Sequence, residues 1–305
     1  MIYFLQMSRK KYLIGVDLGG TKIAGVLATP AGKVLMDVHV PTEATKGKKR
    51  VVKNIKKAIQ TLIQSRKVKI KAIGIGAPGP ILYEKGIVVE APNLPGWKRV
   101  NLKKILEKEF RVPVFVDNDA NCAALAEAWF GAGRFAKNFV YMTISTGIGG
   151  GIIINKRIYR GAIGGAGEIG HMTIDPNGPK CGCGNYGHLE ALASGSAIKK
   201  KTGMDAISVE LAARQGDKKA LKAIQETAHY LAIGISNLVN IFNPELIIIG
   251  GGLSNIRELL FVPIRKEFKN YALTLPAQSV KIVRAKLGTK AGVLGAAALC
   301  IRGND

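Results

Sequence analysis

Nothing in this sequence approaches the run of roughly 18 apolar residues that a membrane-spanning helix needs, although 47% of the residues are hydrophobic. That excludes a membrane span and suits a globular chain of about two domains. Cysteine is scarce, with four in 305 residues. Two of them are clustered, which is not the framework of a small secreted disulfide protein. The opening MIYFLQMSRKKYLIGVD places its apolar piece ahead of its basic residues, the reverse of a signal peptide. The expected compartment is the cytoplasm, with Met7 an alternative start to Met1. Acidic residues are also few: 21 Asp and Glu against 45 Lys and Arg, a formal net charge of +24. KGKKRVVKNIKK (46–57) and SRKVKIK (65–71) carry much of the excess. One reading is a surface for nucleic acid or anionic lipid. The other is a solvated helix face, because Val51, Val52, Ile55, Ala58 and Ile59 recur at helical spacing between the lysines. No helix-turn-helix pattern or aromatic-interleaved basic stretch points to a nucleic-acid site, so no specific nucleic-acid partner is expected.

Two common phosphate motifs are missing as well. There is no G-x-x-x-x-G-K-[ST], and no G-x-G-x-x-G leading into a helix. Present instead are three glycine turns, each after a run of apolar β-formers: DLGGTK (17–22), STGIGGG (145–151) and IGGGLS (249–254). Glycine lets the backbone approach a ligand closely, and successive N–H groups in such a turn cradle an anion. In the first turn Gly19 and Gly20 are joined by the Thr21 hydroxyl and the Lys22 ammonium, and in the second Thr146 precedes Gly147. Asp17 ends a strand, where it could hold Mg²⁺ through water.

GVDLGGTKIAGVL and TISTGIGGGIIIN share one design, strand–glycine turn–strand, at an offset of about 128 residues. The architecture is duplicated rather than the sequence. Helices are expected near 48–66, 101–110, 120–133, 204–216, 217–242, 257–270 and 290–301, with strands near 71–81, 112–119, 245–254 and 279–284. Strands alternate with helices, so the class is α/β with two related domains. The expected domains are 1–119 and 120–289, with the last helix, about 290–305, packing back on the first.

VFVDNDAN ends a strand and starts a helix. Asp119 there is either a simple N-cap or a carboxylate placed to take a proton from a hydroxyl. Asn118 can donate to and accept from adjacent hydroxyls.

Histidine is as scarce as cysteine, yet His171, Cys181, Cys183 and His188 fall within eighteen residues as H-x9-C-x-C-x4-H. Two thiolates and two imidazoles make a tetrahedral set for Zn²⁺, and four protein ligands leave no open position, so the zinc is structural. The alternative is a reduced pair of cysteines in a loop. Glu168 and Glu190 flank the set, and a zinc-bound imidazole keeps a second nitrogen for another partner.

The duplicated hairpins resemble the actin-like (ribonuclease H-like) ATPase superfamily. That resemblance implies ATP in a cleft between the domains, its phosphates on the first two turns and Gly251 and Gly252 under the adenosine. GGAGEIGHMTIDPNGPKCGCGNYGHLEALASG (164–195) resembles the signature of the ROK family of sugar kinases and repressors. DLGGTK, GAPGPI, APNLPGW, VDNDANCAALAE and STGIGGG match it in the same order. The resemblance implies an ATP-dependent hexose kinase with Asp119 as catalytic base. Asn118, Asp119, Glu168, His171 and Glu190 would bind the sugar, with Gly79 and Asn93 in loops lining the pocket. It implies glucose as the sugar, with N-acetylmannosamine, N-acetylglucosamine and fructose as alternatives, and a dimer or tetramer. The family's repressors carry a winged helix-turn-helix ahead of the first hairpin, which here starts near residue 14. One departure stands out: the family's usual last zinc ligand is cysteine, and here it is His188.

Overall fold

The computed structural model describes residues 12–302 except Lys67 and Pro92. The choice between Met1 and Met7 as the start lies outside the described residues. In chain order the elements are β1 (Tyr12–Leu18), β2 (Lys22–Ala28), β3 (Val34–Pro41), α1 (Lys48–Gln64), β4 (Ile70–Ala77), β5 (Ile81–Leu82), β6 (Ile87–Glu90), β7 (Lys98–Asn101), α2 (Leu102–Phe110), β8 (Val114–Asn118) and α3 (Asp119–Phe130). There follow β9 (Phe139–Ile144), β10 (Ile148–Ile154), β11 (Arg157–Tyr159), α4 (Leu189–Ala193), α5 (Gly195–Thr202), α6 (Ala206–Arg214), α7 (Lys218–Phe242), β12 (Leu246–Gly250), α8 (Glu258–Glu267), α9 (Thr274–Ser279), β13 (Lys281–Arg284) and α10 (Ala291–Arg302). Among the described residues no helix is long and apolar enough to cross a membrane.

The chain divides into two compact units. Unit 1 is Met1–Phe130 with Arg160–Gly165 and Thr289–Asp305, and unit 2 is Gly131–Tyr159 with Ala166–Gly288. Unit 1 therefore extends through α3, past the boundary near residue 119 read from the sequence. The reason is packing. The main chain of α3 approaches α10 so closely at Gly295 that a Cβ there would overlap the Cys122 carbonyl.

The sheet of unit 1 runs β3-β2-β1-β4-β8. β1, β2 and β3 pair antiparallel, whereas β4 and β8 join parallel. Side chains alternate across a strand, and β1 shows the consequence. Ile14 and Val16 bury against the layer that holds Val51, Ile55, Ile59 and Leu62 of α1. Leu13 buries on the other face with Ala297 and Cys300 of α10. α1 carries its apolar residues at three- and four-residue spacing and leaves Lys48, Lys49, Lys53 and Lys57 exposed. α10 reaches the sheet because Gly74 of β4 has no side chain; a Cβ there would collide with the Ala296 carbonyl. A small sheet, β5-β6-β7, is inserted between β4 and α2.

Unit 2 repeats the frame. Its sheet runs β11-β10-β9-β12-β13, again with three antiparallel strands followed by two parallel ones. Val140, Met142, Ile144, Ile247 and Ile249 pack on α7 through Ile224, Leu231, Ile235 and Leu238. Asp217 caps that helix by accepting from Ala220 N at 2.7 Å. Asn243 ends it in the left-handed region at φ 42°, which asparagine tolerates better than most residues.

Candidate functional site

Unit 1 gathers its share of the expected residues at the carboxyl end of its parallel strands. Asp17 pairs with Gly76 across β1 and β4, and Gly76 with Asp117 across β4 and β8. In open α/β sheets the chain turns away from the strands at this end and leaves a crevice for ligands. The first glycine turn is tied from beneath. Gly19 N donates to Lys22 O at 3.0 Å, Thr42 N donates to Thr21 O at 2.9 Å, and the Thr42 hydroxyl donates to Gly19 O at 2.7 Å. Thr21 and Lys22 remain exposed. Asn93 lies against this turn: a Cβ on Gly20 would stand 3.1 Å from its Cβ.

Burial pushes the Asp17 carboxyl up from its ordinary range, and the Lys22 charge only partly opposes the shift. The first turn of α10 closes on that carboxyl, since a Cβ on Gly292 would lie 2.5 Å from Oδ2. A carboxylate so placed suits a hydrated cation.

The junction of β8 and α3 separates two roles that the sequence left open. Asn118 Oδ1 accepts from Ala120 N at 2.8 Å, so Asn118 caps the helix. Its Nδ2 donates to Gly79 O at 3.2 Å. Gly79 has φ +82°, and the Glu90 carbonyl occupies the place of a Cβ, so no other residue fits there without strain. Asp119 Oδ1 also accepts from Ala120 N, at 2.8 Å, and the residue is exposed. The capping duty is therefore not Asp119's alone, and its carboxylate stands at the surface of unit 1 where a hydroxyl can reach it.

In unit 2 the second and third glycine turns come together. Thr143 pairs with Gly250, and a Cβ on Gly251, at φ +80°, would lie 2.6 Å from Ile144 N. Gly252 follows at the start of a short 3-10 turn. Ser145 N donates to Gly147 O at 2.9 Å. The start of α5 supports the same turn, with Gly195 N donating to Ser145 O at 2.8 Å and Ser196 N to Thr146 O at 3.2 Å. The Thr146 side chain is exposed.

The four soft ligands also converge. One donor atom from each of His171, Cys181, Cys183 and His188 lies within 4.8 Å of the others. Nδ1 of His171 stands 3.8 Å from Cys181 Sγ, and Nδ1 of His188 stands 3.3 Å from Cys183 Sγ. A tetrahedral ion with the usual Zn–S and Zn–N bond lengths sets S and N about 3.5 Å apart. The donor set and its spacing fit zinc. Burial raises the Cys181 thiol above its ordinary range, which a cation at this place would reverse. Bridges pairing Thr173 with His188 and Lys180 with Tyr186 hold the loop in shape.

Glu168 is exposed beside the short turn that carries His171. Glu190 sits in the first turn of α4. Its Oε2 accepts from Ile148 N at 2.9 Å, and its Oε1 is 3.9 Å from Cys181 Sγ. Sequence reasoning placed Glu190 near a sugar. It missed that this carboxylate ties the loop of clustered His and Cys to the second glycine hairpin, a link forty-two residues long in sequence with no local signature.

Residues 13–302 match the profile of the ROK family. The chain belongs to the ROK family. A glucokinase of Halalkalibacterium halodurans is 40% identical over 309 residues, 93% of each chain. The crystal structure of a ROK glucokinase from Streptomyces griseus in complex with glucose and AMPPNP matches at TM-score 0.82 and 35% identity, covering 96% of this chain and 100% of that one. A xylose repressor of Caldicellulosiruptor bescii is 38% identical over 95% of this chain and 78% of its own length. The fold of each unit is thus that of the actin-like ROK kinases, mixed α/β.

One ROK-chain cluster escaped the sequence altogether. Asp117 is 2% exposed and pairs with Arg160, forty-three residues away. A lone arginine in the glycine-rich stretch YRGAIGG offers no pattern that would reveal such a partner.

Proposed function

We propose that this chain is an ATP-dependent glucokinase that phosphorylates the 6-hydroxyl of glucose, with Asp119 as general base. The observation that carries the reading is the exposed Asp119 carboxylate at the β8–α3 junction, beside an Asn118 that serves as the helix cap. Gly79, Asn93, Asn118, Asp119, Glu168, His171 and Glu190 bind the hexose. Asp119 takes the proton from the hydroxyl as it attacks the γ-phosphoryl group. The backbone amides of the glycine turns, with Thr21, Thr146 and Lys22, stabilise negative charge on the phosphoryl oxygens. Gly251 and Gly252 lie beside the second turn and serve the adenosine. Asp17 holds hydrated Mg²⁺, which when bound neutralises the phosphates.

His171, Cys181, Cys183 and His188 hold a structural Zn²⁺. Its contribution is to fix the loop so that Glu168, the second nitrogen of His171 and Glu190 keep their orientation. Histidine in place of the usual last cysteine still gives a complete four-ligand set.

A coupled ADP-release screen over hexoses and N-acetylhexosamines, with metal analysis of the same sample, tests the reading. Turnover is expected to be highest with glucose, at about one zinc per chain. Preference for N-acetylmannosamine, N-acetylglucosamine or fructose would reassign the sugar while keeping the chemistry. Sequence-specific DNA binding released by a sugar, without ADP formation, would favour the repressor reading instead.

A further inference from the structure

The residues that place Asp119 are themselves placed. Asp117 uses both carboxylate oxygens fully. Its Oδ1 accepts from Asn118 N at 2.8 Å and from Asn121 Nδ2 at 3.0 Å. Its Oδ2 accepts from Arg160 Nε at 2.9 Å, and Arg160 Nη2 stands 2.9 Å from the same oxygen. The guanidinium lies over the ring of Tyr83, 3.4 Å from its centroid. Arg160 opens the segment Arg160–Gly165, which belongs to unit 1 and packs on it a second time at Gly164, where a Cβ would overlap the Ile81 carbonyl.

The charges are costly to bury. The Arg160 side chain is 16% exposed and that of Asp117 is 3%. A buried pair is weak evidence for stability, since apolar residues of similar volume often do as well. What apolar residues could not do is grip the Asn118 amide. The chain of contacts runs from Tyr83 through Arg160 to Asp117, from Asp117 to the Asn118 backbone and Asn121, and so to the peptide that carries Asp119. Reactions of this kind lose rate steeply when the base is misplaced by an ångström.

We propose that Arg160 is a positioning residue for phosphoryl transfer: clamped on Tyr83, it fixes Asp117, and through Asp117 the orientation of Asn118 and Asp119. Arg160 touches neither substrate in this scheme. The proposal rests on Asp119 being the base.

The test uses the full-length protein with Arg160→Lys, Arg160→Met, Asp117→Asn and the double variant Arg160→Met/Asp117→Asn, alongside Asp119→Asn. Each is measured for melting temperature, kcat, and KM for ATP and glucose. Lysine keeps the charge but cannot fork onto Oδ2 while stacked on Tyr83. Arg160→Lys is therefore expected to fold with a melting temperature near that of the parent, yet to lose ~10-fold or more in kcat, with KM for ATP within about twofold. The double variant removes both buried charges. It is expected to recover much of the melting temperature lost in Arg160→Met while kcat stays low. A purely structural pair would show the opposite: kcat following the melting temperature back toward the parent. That result, or a folded Arg160→Lys with at least half the parent kcat, overturns the proposal. If Asp119→Asn is silent while Arg160→Lys is fully active, the positioning role alone has failed. A parent protein with no activity on any hexose, or an active Asp119→Asn, overturns the assigned base and this inference together.

Discussion

Asp119→Asn separates the role of a base from the role of a helix start, because the structure lets both losses be sized in advance. Asparagine keeps Oδ1, the atom that accepts from Ala120 N, and Asn118 still caps α3. Loss of the negative charge near the positive end of the helix costs about 0.3–1 kcal/mol. For a unit of this size that moves the melting temperature by only a few degrees, roughly 2–4 °C per kcal/mol. The chemical loss is larger. A positioned general base contributes roughly 10²–10⁴ in rate, or about 2.7–5.5 kcal/mol at 1.36 kcal/mol per tenfold. The side chain keeps its shape and one hydrogen-bonding oxygen, so glucose binding should change little. The expected pattern is a folded protein, KM for glucose within about threefold, and kcat reduced ~100-fold or more in the coupled ADP-release assay. A purified, folded Asp119→Asn with kcat within a factor of about three of the parent would refute the reasoning.

Three further outcomes follow from other parts of the molecule. Cys181→Ala removes one of four converging ligands; zinc measured by elemental analysis should fall to near zero, and KM for glucose should rise more than KM for ATP, so an unchanged glucose KM in the zinc-free protein would contradict the bracing role. Asp17 is held above its ordinary range by burial: the folded state binds its proton more tightly than the unfolded chain, so stability declines as pH rises from the unfolded value, 3.8, through the raised folded one. Asp17→Asn should accordingly raise the melting temperature at pH 7 without Mg²⁺ or ATP while lowering kcat; a melting temperature that falls would show that the carboxylate is stabilising. Gly74→Ala drives a methyl into the Ala296 carbonyl of α10; overpacking of this kind costs about 1–3 kcal/mol or more, to be read as a melting temperature lower by several degrees, and a neutral result would mean that α10 can shift without penalty.

Much of the fold was legible because it rests on local signals. α7 was expected near 217–242 and runs Lys218–Phe242, and α1 was read from Val51, Val52, Ile55, Ala58 and Ile59 between lysines. The cluster of His171, Cys181, Cys183 and His188 was legible because its four residues are close in sequence and their types are rare elsewhere. The insertion β5-β6-β7 was not: strands of two to four residues carry too short a pattern to show a period. The helices α4 and α5 were also unread, since they follow directly from the metal loop with only the Ser194 side chain, accepting from Ala197 N at 3.2 Å, to mark the break between them. Nor were the contacts that orient the site legible. Glu190 on Ile148 N and Arg160 on Asp117 join segments more than forty residues apart, and no spacing rule reaches that far.

Comparison of the two units explains why duplication was visible in architecture and not in sequence. The strand order is the same in both sheets, and a glycine turn follows β1 and β9 alike. The insertions differ. Unit 1 interrupts the frame between β4 and β8 with β5-β6-β7 and α2, which sets Gly79 and Asn93 near the strand ends, and β8 finishes in Asp117 and Asn118 with Asp119 opening α3. Unit 2 leaves that interval to α8 and α9, and its last strand finishes in Arg284, with no acid to serve as a base. Its long insertion falls between β11 and β12, where the ligand loop and α4 deliver Glu190 to the hairpin amide of Ile148. The base of the proposed function therefore falls in unit 1, and the converging His171, Cys181, Cys183 and His188 in unit 2. Each half retains a glycine turn between its first two long strands, DLGGTK in unit 1 and STGIGGG in unit 2.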